Sequence, residues 1–185
     1  MENKYILVER KNFSMSEHQG HLLPGFKTEH GWGVARILLG WLFLWAFIDK
    51  LFGLGYATAS GNGWIDGGSP TTGYLNYGVS GVFEGVFKDI AGNTAIDVVF
   101  MLALLALGLA LMLGIGMRLA FYGGSILMVL LWSSNVPPEN NPLIDEHIIF
   151  IAFLFLFERY GAGKHLGLGG WWSQTALVKR FPILE

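Results

Sequence analysis

The chain predicts an all-α, integral membrane fold: a four-helix bundle with an extra amphipathic helix on its outer side. Three observations carry that expectation. Hydrophobic residues fill 52% of the 185 positions against 14% charged, and mean hydropathy is +0.46, a balance outside the usual soluble range. Four apolar runs are separated by segments rich in Gly, Pro and Asn. Lysine and arginine are concentrated in alternate connections, as they are around membrane spans.

The organising element is the first span, residues 31–54, GWGVARILLGWLFLWAFIDKLFGL. Its uncharged centre, Ile37–Ile48, is too apolar for a surface helix, and it is bounded by Arg36 on one side and Asp49 and Lys50 on the other. At 1.5 Å per residue such a helix reaches across a hydrocarbon core of about 30 Å if the two cations extend toward opposite interfaces. Arg36 and Lys50, fourteen positions apart, share one helical stripe with Gly40, Phe43 and Phe47. An ionisable side chain at membrane depth is costly unless it faces protein or water, so this stripe either lines a site or anchors the helix ends.

Residues 1–30 are polar, with Tyr5–Val8 as their apolar run, and predict a cytoplasmic N-terminal segment with no cleavable signal. Residues 55–93 predict an outer loop followed by an amphipathic helix over Val79–Ile90, where Val79, Val82, Phe83, Val86, Phe87 and Ile90 follow the helical apolar spacing. The second span covers 94–116, opened by Thr94 and Asp97 as a weak capping box and carrying Gly108, Gly114 and Gly116 for close helix approach. A short Gly-containing turn at Arg118 leads into the third span, 118–134, which predicts an antiparallel pair. The connector Asn135–Pro142, NVPPENNP, cannot be helical. The fourth span, 143–159, has an uncharged core of only ten residues, Ile148–Phe157, so Asp145, Glu146, His147, Glu158 and Arg159 are drawn into its end turns. Residues 161–185 predict a cytoplasmic interfacial tail, from Trp171 and Trp172 ahead of a basic amphipathic stretch.

Outside the first span, four Lys/Arg precede it, one lies at the second turn and four follow from Arg159, whereas the two longer loops hold only Lys88. Both termini are therefore expected in the cytoplasm. The opposite end is acidic, with Asp66, Glu84, Asp89, Asp97, Glu139, Asp145 and Glu146 at or near it.

Several chemistries are excluded or disfavoured. Without cysteine there is no disulfide, thiolate metal site, iron–sulfur cluster or thiol nucleophile. A single histidine in the spans, His147, does not make a two-histidine haem site, and the glycine-rich stretches lack phosphate-binding and dinucleotide (hence flavin) spacing. His18, His21 and His30 lack a supporting metal pattern, so no metal is predicted, and a net charge of −2 gives no nucleic-acid partner. What remains is the outer constellation of Asp49, Lys50, Asp97, Asp145, Glu146 and His147. A quinone needs an apolar slot, hydrogen-bond donors to its carbonyls and groups that exchange protons. Lys50 and His147 could donate and the carboxylates relay protons, while a salt-bridge network tying the helix ends together is the alternative.

Two motifs carry a family resemblance: Ala35-Arg36-Ile37-Leu38-Leu39-Gly40, continuing through Phe43 to Asp49-Lys50-Leu51, and Asn141-Pro142-Leu143-Ile144-Asp145-Glu146-His147. Over residues 31–172 the chain resembles the DoxX/DoxD family of four-helix membrane proteins of prokaryotic cytoplasmic membranes. The glycine-rich outer loop and the NPLID join look most like the DoxD branch. That resemblance implies oxidation of thiosulfate to tetrathionate with electrons passed to a membrane quinone, beside a second small DoxA-like subunit. It equally allows a non-catalytic subunit of a larger respiratory complex, and it leaves self-association open. Lys50, Asp145 and His147 are the candidate catalytic residues on this reading. Arg36, Asp49, Asp97, Glu146 and Trp132 are the candidate quinone contacts.

Overall fold

A computed structural model describes residues 27–185. His18, His21 and the run Tyr5–Val8 lie outside the described residues. Within them the chain is helix and turn, with no strand: α1 (Thr28–Phe52), α2 (Thr72–Tyr77), α3 (Glu84–Asp89), α4 (Thr94–Leu113), α5 (Met117–Ser133), α6 (Glu146–Arg159), α7 (Gly169–Trp172) and α8 (Ala176–Arg180). Short 3-10 turns cover Trp64–Asp66, Ala162–Lys164 and Pro182–Leu184. By length and composition two helices, α1 and α4, are long and apolar enough to cross a membrane. The 14 residues of α6 rise only about 21 Å.

The four long helices lie side by side. α1 packs along α4, α4 joins α5 through the Gly114–Gly116 turn, and α5 packs along α6. The return from α6 to α1 is made by rings: Phe43 meets Phe150 edge to face at 6.0 Å, and Trp32 stacks on Tyr160 at 5.1 Å. Leu39, Phe43, Leu104, Leu107, Leu111, Met128, Leu154 and Phe157 form the shared core. The α1–α4 crossing is close because each helix offers a glycine. A Cβ on Gly40 would lie 2.8 Å from the Leu111 Cβ, and one on Gly108 would lie 2.8 Å from the Leu44 amide nitrogen.

Four features differ from the sequence expectation. The amphipathic helix expected over 79–90 is reduced to α3, because residues 80–82 leave the helical path to bond with the connector. The Ser80 amide donates to the Ser134 carbonyl, and the Val82 amide to the Val136 carbonyl, with Gly81 at φ 83° between them. A further short helix, α2, stands in the loop before it. At α4 the N-cap is Asn93, whose side chain accepts from the Ala95 amide, and Asp97 turns inward instead of completing a capping box with Thr94. α6 begins at Glu146 and not at 143, since Asp145 caps it.

The long helices thus have two ends. One, the tail end, gathers the start of α1, the α4–α5 turn, the end of α6 and residues 160–185. The other, the loop end, gathers the end of α1, the start of α4, and both long loops.

Candidate functional site

Arg36 sits at the tail end, wholly buried. Its Nε donates to the Ala162 carbonyl at 3.2 Å. One terminal nitrogen donates to Leu111 and Met112 carbonyls, and the other to those of His165 and Leu166, at 3.3 and 3.0 Å. The end of α4 is thereby fully satisfied. Gly114 and Ile115 amides serve the Ala110 carbonyl, Arg36 serves Leu111 and Met112, and the Leu168 amide serves Leu113. A cation at a helix C-terminus also suits the macrodipole. Among the described residues no carboxylate pairs with Arg36, and every donor of its guanidinium is engaged. Its place is about 20 Å along α1 from Lys50.

At the loop end the acidic candidates serve loops. Asp49, 1% exposed, accepts from the Tyr56 amide at 3.3 Å and the Thr58 amide at 2.8 Å, closing the turn after α1. Asp97, also buried, accepts from the hydroxyls of Ser69 at 2.9 Å and Thr71 at 2.6 Å. A separate set of bonds among Tyr74, Ser134 and Asn135 ties α2 to the start of the connector. Trp132 donates its indole N–H to the Leu143 carbonyl at 3.0 Å. Glu146 is exposed in the first turn of α6.

Asp145 and His147 form a dyad. One carboxylate oxygen accepts from the backbone amides of His147 and Ile148, and the other lies 2.8 Å from His147 Nδ1. Partial burial raises the Asp145 pKa, but the bond with the His147 ring, the two amides and the nearby His147 charge outweigh it and hold the group below the ordinary carboxylate value. A carboxylate bonded to Nδ1 orients the ring and leaves Nε2 for a proton acceptor or donor role. The ligating atoms of Asp145, Glu146 and His147 lie within 4.8 Å of one another, although two of the three already bond each other.

Lys50 is different. It is partly buried, on the stripe that already places Arg36, Gly40 and Phe43 in the interior, and among the described residues no hydrogen bond or ion pair reaches it. The ring contacts set the level of its neighbours: Trp32 meets Phe157 and Tyr160, Phe43 meets Phe150, so the antiparallel α6 brings its first turn level with Lys50. Lys50 and the Asp145–His147 dyad therefore occupy the same end of the α1–α6 seam.

The larger cavity lies elsewhere. An open groove of about 350 Å³ lies between α4 and α5, from Ala103 to Trp172 and Leu184 of the tail, on the seam opposite α1–α6. A smaller one of about 110 Å³, lined by Arg118, Glu158, Lys164 and Glu185, adjoins it at Trp172.

The roles of Ser69 and Thr71 escape a sequence reading, although the Ser-Pro-Thr-Thr run is a recognisable loop-to-helix signal. Searches of family models, curated proteins and solved structures return no match.

Proposed function

We propose that the chain is a membrane-embedded four-helix subunit of the DoxX/DoxD kind that exchanges electrons and protons with a membrane quinone, with thiosulfate as reductant. It sits in a prokaryotic cytoplasmic membrane with both termini inside, beside a second small subunit or a larger respiratory complex. The membrane setting is supported by large apolar side chains exposed on all four long helices, among them Leu38, Val99, Ile126 and Phe155, which in water would form an unpartnered hydrophobic belt. Positive-inside counting puts the loop end outside.

The observation that carries the redox reading is Lys50. Arg36, Asp49, Asp97 and Trp132 are all engaged in holding helix ends and loops, whereas Lys50 has no hydrogen-bond partner among the described residues and stands beside an aromatic seam, level with a carboxylate–imidazole dyad. A quinone headgroup there would accept from the Lys50 ammonium, and His147, oriented by Asp145, would handle its protons. Two thiosulfate dianions each give up one electron and join through a new sulfur–sulfur bond. The quinone takes both electrons and two protons to become quinol. With no cysteine in this chain, any enzyme-bound sulfur intermediate belongs to the partner.

The test is thiosulfate-dependent reduction of a short-chain quinone by native membranes carrying Lys50→Met or His147→Ala. A loss of roughly 100-fold or more, with unchanged melting of the purified protein, is the expected result. A second reading, a non-catalytic subunit that stabilises a larger complex, is favoured by the position of the 350 Å³ cavity, away from Lys50. On that reading both variants keep the activity of their membranes while deletion of the chain lowers the amount of the assembled complex.

A further inference from the structure

The 350 Å³ cavity between α4 and α5 is lined by small and aliphatic side chains, with Ala106, Ala110, Ala120 and Gly123 on its walls and Trp172 and Leu184 closing its tail end. It opens on the outer flank of the pair. Ala106 and Gly123 are exposed, and a Cβ on Gly123 would meet nothing within 4 Å. The Trp172 indole donates to the Leu184 carbonyl at 2.5 Å, so the closed end offers no free donor. Apolar space of this kind on a membrane-facing flank takes hydrocarbon and not water.

The polar surroundings lie just beyond. α8 packs on the Pro182–Leu184 turn and carries Lys179 and Arg180, both exposed and, among the described residues, without a carboxylate partner. The remaining cations near the cavity are neutralised: Arg118 by Glu158 and Glu185, Lys164 by Glu185. Trp171, Leu177 and Phe181 are exposed on the same segment, with Arg180 over the Phe181 ring at 5.4 Å, a composition suited to the headgroup boundary. The unpaired charge just beyond the tail end of the groove is thus positive.

We infer that the α4–α5 groove and α8 together bind one anionic phospholipid, an acyl chain lying along Ala106, Ala110 and Gly123 and its phosphate meeting Lys179 and Arg180. This rests on the membrane setting proposed above, and not on the quinone chemistry. It places the site in the cytoplasmic leaflet, where anionic headgroups attract juxtamembrane cations.

The experiment reconstitutes the full chain in nanodiscs of equimolar phosphatidylglycerol and phosphatidylcholine, then counts retained lipid by native mass spectrometry after gentle release. The wild type is expected to keep one phosphatidylglycerol per chain with roughly tenfold preference over phosphatidylcholine. The Lys179→Gln, Arg180→Gln double variant keeps a lipid but loses the preference. Gly123→Leu, which fills open space and leaves the backbone undisturbed, keeps none. Equal retention of both lipids by wild type and variants overturns the site, as does efficient disulfide cross-linking of Ala106→Cys between two copies, which assigns the groove to self-association. A chain that stays monodisperse in water without detergent or lipid defeats the membrane setting itself, an outcome separate from loss of lipid preference in nanodiscs.

Discussion

Replacing Arg36 with Met keeps an unbranched side chain in the core but removes all five hydrogen bonds that the guanidinium gives to backbone carbonyls. The bonds to Leu111 and Ala162 are fully buried; the Ala162 carbonyl keeps the His165 amide as a donor, so the Leu111 carbonyl is the one left stranded in the core, at a cost of about 1–3 kcal/mol. The other three acceptors are partly buried, and solvent from the small cavity at Gly114, Gly163 and Gly169 can recover part of their loss. Relief from holding a cation in the core offsets a further part. A net destabilisation of about 2 kcal/mol follows, a drop in melting temperature of roughly 4–8 °C for a chain of this size. Because three of the five acceptors lie in residues 162–166, the damage should appear first as release of the tail from α4. Thermal melts in mild detergent and limited proteolysis read both effects. Arg36→Lys, with three donors on a compact ammonium, should fall between. A Met variant that melts with the wild type and keeps a protected tail would refute the view that Arg36 is the clasp of this end.

The loop end makes parallel predictions. Asp49→Ala leaves the Tyr56 and Thr58 amides without acceptors and should cost about 2 kcal/mol, with faster hydrogen exchange confined to the 53–58 turn. Asp145 has a lowered native pKa, so its stabilising effect is present above its unfolded value and disappears as pH falls through the native one. The gap in melting temperature between wild type and Asp145→Asn should accordingly be full at neutral pH and close on acidification below about pH 4. Gly108→Ala drives a Cβ to within 2.8 Å of the Leu44 backbone and should destabilise by about 1–3 kcal/mol. Gly123→Ala meets nothing and should be neutral or gain up to about 1 kcal/mol in helix propensity, and denaturation of the pair checks both.

Much of the architecture could be read from periodicity. The uncharged runs mark α1 and α4 because nothing but apolar surroundings tolerates such stretches, and the glycines at 114 and 116 mark the turn between α4 and α5, where both adopt positive φ. The residues 79–90 misled because apolar spacing says nothing about competing backbone partners: the Ser80 and Val82 amides donate to the Ser134 and Val136 carbonyls instead of to a helical turn of their own. The charged residues were visible as unusual, but their tasks were not. Asp49 and Lys50 are adjacent in sequence and similar in expected depth, yet one is closed off by two loop amides and the other has no hydrogen bond among the described residues.

Composition and spacing alone determined that this chain makes apolar helices, where the longest of them lie, and which polar residues are out of place on them, since those properties follow from local transfer energies and a fixed helical repeat. Tertiary structure alone decided which of those polar groups are satisfied. A hydrogen bond from Arg36 to Ala162 or from Ser69 to Asp97 joins residues far apart in the chain, and its formation depends on how the helix ends meet, which no local pattern encodes.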